Sequence, residues 1–287
     1  MEIVRMAHLV LVNVSPDAVP AVRQVQPATY LRLNESNRPV HGSMPRSVDP
    51  VHGTMALPAR PVFKIIRYVM ARSVKQLLEQ KDQEGLRKAL ADEPRLANQG
   101  MTIPYDLFCR VQAHPLHRLC DAVYSGKMME EEALVLAGIL LEHGADINGF
   151  GHGPPLLAAA SLHTDQLGML YIDHGADVRL TDAQDQASAL HWAAYCGRDL
   201  LVDRLIQAQA PLDLPDRSHG STPLGWALHA LASMNKANLH HQPACLHLLV
   251  RAGADIHALN RLAREQLFAL ADEHKELKDA LLRAGMP

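Results

Sequence analysis

The apolar positions of this chain fall into a rhythm only beyond Pro61. The stretch "PVFKIIRYVMARSVKQLLEQ" places apolar residues at 62, 63, 65, 66, 69, 70, 74, 77 and 78. They return to one face every three to four residues, which predicts a helix over 61–80. Pro61 suits its first position, where no N–H partner is needed. Lys81 and Asp82 predict a turn, and "QEGLRKALADEPRLANQG" a second, short helix ending before Pro94, because proline pushes the residue before it out of the helical region. Upstream the rhythm is missing. Prolines recur at 16, 20, 27, 39, 45, 50, 58 and 61 with no sustained period between them. Such a segment cannot bury enough surface to offset its ordering entropy. Residues 1–60 are therefore expected to be a disordered tail, or an over-called N-terminal extension with translation starting near Met55 or Met70. Residues 61–112 read as N-terminal capping helices.

From 113 to 287 the pattern repeats. Four segments align: "HPLHRLCDA" from His114, "PPLLAAASLH" from Pro154, "SALHWAAYCG" from Ser188 and "TPLGWALHA" from Thr222. Their second positions, 115, 155, 189 and 223, are 40, 34 and 34 residues apart. Each is followed by a second landmark: "LLEHGADIN", "YIDHGADVR", "LIQAQAPLD" and "LVRAGADIH", with "LLRAG" near the end as a truncated fifth copy. A period near 33 with a Thr-Pro-Leu-His-like start and a Gly-Ala-Asp exit resembles the ankyrin repeat. The resemblance covers about 113–260, with the flanks as end units. It implies an all-α ankyrin repeat solenoid of stacked helix-turn-helix units with hairpin loops, 113–287 forming the array and its C-terminal capping unit.

Residue chemistry supports that arrangement. Ser188 and Thr222 can accept from the free N–H groups of a first helix. Pro115, Pro155 and Pro223 fill first helical positions. Leu116, Leu156, Leu190 and Leu224 should point into the stack, and the pairs Ala159-Ala160 and Ala193-Ala194 are small where helices pass closely. Gly197 should end a first helix and reverse the chain, after which "DLLVDRLI" gives a second helix with Leu201, Val202, Leu205 and Ile206 inward. Gly144, Gly175 and Gly253 should close the second helices in left-handed caps. His143, His174 and Arg251 sit near those termini, where positive charge is favoured. Asp146, Asp177 and Asp255 should hold the following turns by bonding backbone N–H groups. The resemblance makes His191 a structural residue, bonding backbone or hydroxyl groups locally, and Trp192 a packing residue.

Two repeats carry extra length. Repeats 2 and 3 need 20 residues from the first landmark to the exit glycine position, repeat 1 needs 29 and repeat 4 needs 30. The additions lie around "VYSGKMMEEEA" and "ALASMNKANLHHQ", either lengthening a helix or forming a projecting loop. Repeat 3 has Gln209-Ala210-Pro211 where the others have Gly-Ala-Asp, which costs about 1 kcal/mol if Gln209 is left-handed. The hairpins "FGHGP" and "TDAQDQA" also depart from the family's pattern.

Composition narrows the function. A net charge of -3 and the lack of a basic stripe argue against nucleic acid. No run approaches the ~20 apolar residues that span a bilayer. The apolar patch His8–Val14 lacks the basic head and cleavage site of a secretory signal. Cys109, Cys120, Cys196 and Cys245 form no CxxC pair and read as free buried thiols, which suits a cytoplasmic setting. No Gly-x-Ser-x-Gly, His-Glu-x-x-His or phosphate-binding glycine loop occurs, so neither an enzyme nor a cofactor is expected. His240, His241, Cys245 and His247 are the most metal-like group, but Cys245 aligns with a buried aliphatic position.

The leading expectation is a non-catalytic, monomeric protein-binding scaffold. Its binding residues should lie at the ends of first helices and on hairpins, the concave face of such stacks: Asp121, Leu162, His163, Tyr195, Cys196, Trp226 and His229. Tyr195 is the foremost anchor, an aromatic where the repeat requires none. Two alternatives remain: a metal-binding or hydrolytic site at the repeat 4 insertion, and an inhibitor or immunity-type protein that blocks a partner enzyme.

Overall fold

A computed structural model describes residues 73–102, 112–151, 153–233 and 241–285. All lie within one compact unit, Val69–Pro287. The tail expected over 1–60 lies outside the described residues.

Of the helix expected over 61–80, residues 61–72 lie outside the described residues; the described part is α1 (Val74–Glu79), which begins at a cap. Ser73 is extended and caps α1: its Oγ accepts from Gln76 N–H at 3.3 Å and its own N–H donates to the Gln76 side chain at 2.9 Å. That reciprocal pair satisfies two end groups, so the helix starts at Val74 and does not run through Ser73. Helix α2 (Gln83–Asp92) follows Asp82, whose carboxylate accepts from Gly85 N–H at 2.8 Å, and stops before Pro94 as expected. A 3-10 turn (Pro94–Asn98) and two short antiparallel strands, β1 (Met101–Thr102) and β2 (Gln112–Ala113), lead into repeat 1.

The four repeats follow as helix pairs. Repeat 1 is α3 (Pro115–Tyr124) and α4 (Glu130–Glu142); repeat 2 is α5 (Pro155–Ser161) and α6 (Asp165–Asp173). Repeat 3 is α7 (Ala189–Tyr195) and α8 (Asp199–Gln207); repeat 4 is α9 (Pro223–Ser233) and α10 (Gln242–Ala252). A last pair, α11 (Arg261–Glu273) and α12 (Lys275–Arg283), contains the truncated fifth copy and ends at a left-handed Gly285. First helices touch first helices along the series α1, α3, α5, α7, α9, α11. Second helices do the same along α2, α4, α6, α8, α10, α12. The result is the all-α ankyrin-type stack that the spacing predicts.

Burial follows the repeat. Leu116, Leu156, Leu190 and Leu224 are all buried, as are Ala159, Ala160, Ala193, Ala194, Leu201, Val202 and Leu205. Close approach is a real constraint: a Cβ on Gly168 of α6 would stand 2.9 Å from the Leu201 side chain of α8.

The nine-residue insertion of repeat 1 mostly lengthens helices. Helix α3 has 10 residues against 7 in α5, and α4 has 13 against 9 in α6, leaving two extra residues for the turn. In repeat 4 the first helix grows to 11 residues. Residues 234–240, at the centre of its insertion, lie outside the described residues.

Polar groups also bind neighbour to neighbour. Asp146, Asp177 and Asp255 each accept from the N–H two residues on, at 2.8–3.0 Å, as expected. Their own N–H groups donate to the preceding unit: Asp146 to Asn98 at 2.6 Å, Asp177 to Asn148 at 2.8 Å and Asp255 to Asp213 at 2.8 Å. The rung between repeats 2 and 3 is missing because both partners change. Arg179 replaces the acceptor, and Pro211 has no N–H to donate, so the replacement leaves no orphaned donor. In the same repeat Gln209 is left-handed at φ 61°, matching Gly144, Gly175 and Gly253 at 84°, 84° and 95°.

Candidate aromatic docking site

Four of the first helices, α1, α3, α5 and α7, end in a turn that needs a left-handed residue. Lys81, Gly126, His163 and Gly197 occupy it with φ between 57° and 69°. Gly197 has a second reason to be glycine. The side chain of Gln242, from α10, reaches across and donates to the Ala194 and Tyr195 carbonyls at 3.3 and 2.5 Å. A Cβ on Gly197 would run into the buried Gln242 carboxamide. Repeat 4 thus caps the C-terminal end of the first helix of repeat 3 at the Tyr195 backbone.

Tyr195 belongs to a cluster of rings between α7 and α9. Trp226 stands at its centre, with ring centroids 5.2 Å from Trp192, 5.3 Å from His191 and 5.9 Å from Tyr195, each edge to face. His229 stacks on Tyr195 at 6.4 Å and 24°. Edge-to-face pairs match ring edge to ring face electrostatically and hold one another in place. Trp226 is anchored from below by Asp216, whose Oδ2 accepts its indole N–H at 2.9 Å and the Ser221 N–H at 3.1 Å. Asp216 Oδ1 accepts from His219 N–H at 2.7 Å. Burial alone would raise the Asp216 carboxyl, but these donors and the His219 ring hold it below the usual carboxylate value.

His191 is structural, as expected. Its Nδ1 accepts from the Ser188 N–H at 3.1 Å and lies 2.9 Å from Ser188 Oγ; its Nε2 faces the Ser221 carbonyl of the next hairpin at 3.2 Å. Burial lowers its pKa, so the neutral ring fits these bonds. His117 makes the matching contact in repeat 1, Nδ1 to the Gly153 carbonyl at 3.2 Å.

The seven residues singled out from sequence separate by exposure. His229 is exposed, and Tyr195, Trp226 and His163 are half-buried. Asp121, Leu162 and Cys196 are buried. Asp121 pairs with Arg118, Leu162 joins the core, and burial pushes the Cys196 thiol up to about 12. Tyr195, Trp226 and His229 come together. His163 sits a repeat away, its ring 6.4 Å from Tyr124.

The ankyrin repeat family model matches residues 185–217, from the hairpin before α7 through the whole of repeat 3. Two curated relatives, ankyrin repeat and SOCS box protein 6 of Homo sapiens and of Pongo abelii, are 33% and 32% identical over 142 residues. The stack is of the ankyrin type, and residues 185–217 are one ankyrin repeat. The match covers 47% of this chain and 32% of each relative, so it spans about a third of the relatives' length. Within the ankyrin array, the rings at the repeat 3–4 junction include one residue that sequence assigned to packing alone, Trp192. The Asp216 anchor also went unnoticed, though its five-residue spacing to Ser221 marks a closed hairpin.

The metal-like group does not converge where the structure describes it. Cys245 is buried in the ankyrin core, its thiol raised by burial, and is free like Cys120 and Cys196. His241 lies 3.2 Å from Asp199, and His240 is outside the described residues. Among the described residues no group of three or more His, Cys, Asp or Glu side chains is placed to hold a metal ion. No described helix is long and apolar enough to cross a membrane.

Proposed function

We propose that this array is a non-catalytic docking module that holds a partner protein on the first-helix ends and hairpins of repeats 3 and 4. Ankyrin repeats are protein-interaction modules, and the relatives' name joins them to a second element, a SOCS box. By that analogy the array is the partner-holding part of a monomeric, cytoplasmic adaptor. The observation that carries the reading is the ring cluster. Stacking fills its own positions with alanine and leucine, yet this junction presents Tyr195, Trp226 and His229 together, two half-buried and one exposed. Rigid aromatic side chains give large contact area at small entropic cost, which is what binding hot spots require.

The test is affinity capture from the native cell with the wild-type chain and with Tyr195→Ala, followed by titration of the captured protein. Tyr195→Ala is expected to weaken the complex by about fivefold or more, or ~1 kcal/mol, while its unfolding midpoint moves by about 3 °C or less. Equal binding by the variant would remove the anchor assignment.

A further inference from the structure

Repeats 3 and 4 carry the same carboxylate at the same place but use it differently. Asp216 lies seven residues before Pro223, and Asp182 seven before Ala189. Both close their hairpins alike: Asp216 N–H donates to the Ser221 carbonyl at 2.9 Å, and Asp182 N–H to the Ala187 carbonyl at 3.0 Å. A tryptophan follows at the same offset in each repeat, Trp226 and Trp192. Trp226 gives its indole N–H to Asp216. Trp192 gives nothing to Asp182; its ring is turned onto Trp226. Asp182 Oδ1 accepts from Gln184 and Asp185 N–H groups at 3.0 and 2.6 Å, but Oδ2 is buried with no hydrogen-bond partner among the described residues.

A covered carboxylate oxygen without a donor is costly, and a ligand that supplies the donor recovers that cost on binding. The ring cluster sets the second condition. Asp182 acts electrostatically on His191, whose ring lies 5.3 Å from Trp226, and stands to Trp192 at the offset that puts Asp216 on the Trp226 indole, so a donor to Asp182 comes beside the rings. A guanidinium meets both: it is planar, permanently charged, weakly hydrated, and stacks on indole while bonding a carboxylate. The two hairpins touch, Arg217 N–H donating to the Asp185 carbonyl and Ser218 Oγ to Asp185 Oδ1, and together they carry three aspartates, Asp182, Asp185 and Asp216, beside Arg217 and His219.

We propose that the partner inserts an arginine at the repeat 3–4 junction, its guanidinium donating to Asp182 Oδ2 and lying against Trp192. This rests on the docking role given to that junction above. The arginine takes the place at Asp182 that the Trp226 indole takes at Asp216. With the guanidinium lying against it, the half-buried Trp192 ring changes its surroundings on binding.

The chain has two tryptophans, so its indole N–H resonances can be assigned with Trp192→Phe. The intact chain is titrated with N-acetyl-arginine amide, N-acetyl-lysine amide and N-acetyl-citrulline amide, the last a neutral match for arginine's shape. The arginine compound is expected to shift the Trp192 signal saturably and about fivefold more tightly than the other two. Asp182→Asn should abolish that preference and Asp185→Asn should keep it. Should Asp182→Asn fail to fold, the arginine-to-citrulline ratio on the wild-type chain decides alone. No saturable shift, equal shifts by all three compounds, or an unchanged preference in Asp182→Asn overturns the proposal. The docking reading is judged separately by Tyr195→Ala, so a loss there with no arginine preference here refutes only the arginine.

Discussion

At the junction of repeats 2 and 3, α5 and α7 pack together, and both carry small buried side chains, Ala158, Ala159 and Ala160 on one and Ala189, Ala193 and Ala194 on the other. At the junction of repeats 3 and 4, α7 and α9 share the same inner packing through Leu190, Leu224 and Ala227, and add a layer of rings above it. The inner layer is what a stack needs. It repeats with the period because every helix pair shelters the next from water. The outer layer is not required for stacking, so it is free to differ between junctions, and there the chain has placed two tryptophans, a tyrosine and a histidine. The hairpin rungs vary in the same way: the repeat 1–2 and repeat 3–4 rungs are made, and the repeat 2–3 rung is absent on both sides at once.

The largest expected effect is on the shared inner layer. Leu190→Asp places an unpaired charge at a fully buried site, and should cost several kcal/mol and spread to both neighbouring repeats. Circular dichroism and the unfolding midpoint measure it; an unchanged midpoint would show that α7 does not pack as described. A smaller effect follows from acid. His114 caps α3 through Nδ1, which accepts from the Leu116 N–H at 3.2 Å, and its Nε2 faces Asn98 Oδ1 at 2.9 Å. Desolvation lowers its pKa from 6.5 to about 4, against an opposing pull from Asp146. The unfolded ring therefore takes up a proton near 6.5 while the folded ring refuses it until about 4. Stability is full above pH 6.5 and falls as pH drops through that window, by about 3 kcal/mol from this residue. Denaturant titrations from pH 7.5 to 4 should show the fall, and His114→Asn, which still caps but does not titrate, should reduce it. The smallest effect is at the repeat 3 exit. Gln209→Gly relieves a left-handed non-glycine and should raise stability by up to about 1 kcal/mol without altering partner binding; a loss of binding would place that turn in the interface.

Much of the fold was legible because stacking constrains residue type. Ser188 and Thr222 before the first helices, the inward leucines and the exit glycines report local geometry directly, and each stands where the period places it. The helix start at Val74 was not foreseen because periodicity does not reveal that Ser73 and Gln76 prefer each other to a continued helix. The site was legible only in part. Tyr195, Trp226 and His229 could be nominated from repeat position, yet Leu162, Cys196 and Asp121 share that position and are buried, since small shifts in helix length decide which residue faces out. The contacts of Asp216 and Gln242 depend on distances across repeats, which no periodicity encodes.

Hydrogen exchange on the array alone and with its captured partner puts the two junctions in direct competition. Added protection is expected over 188–197 and 214–231, covering the rings and the hairpin that anchors Trp226, with little change over 155–173. Protection confined to the second helices α4, α6 and α8, or equal at both junctions, would contradict this expectation.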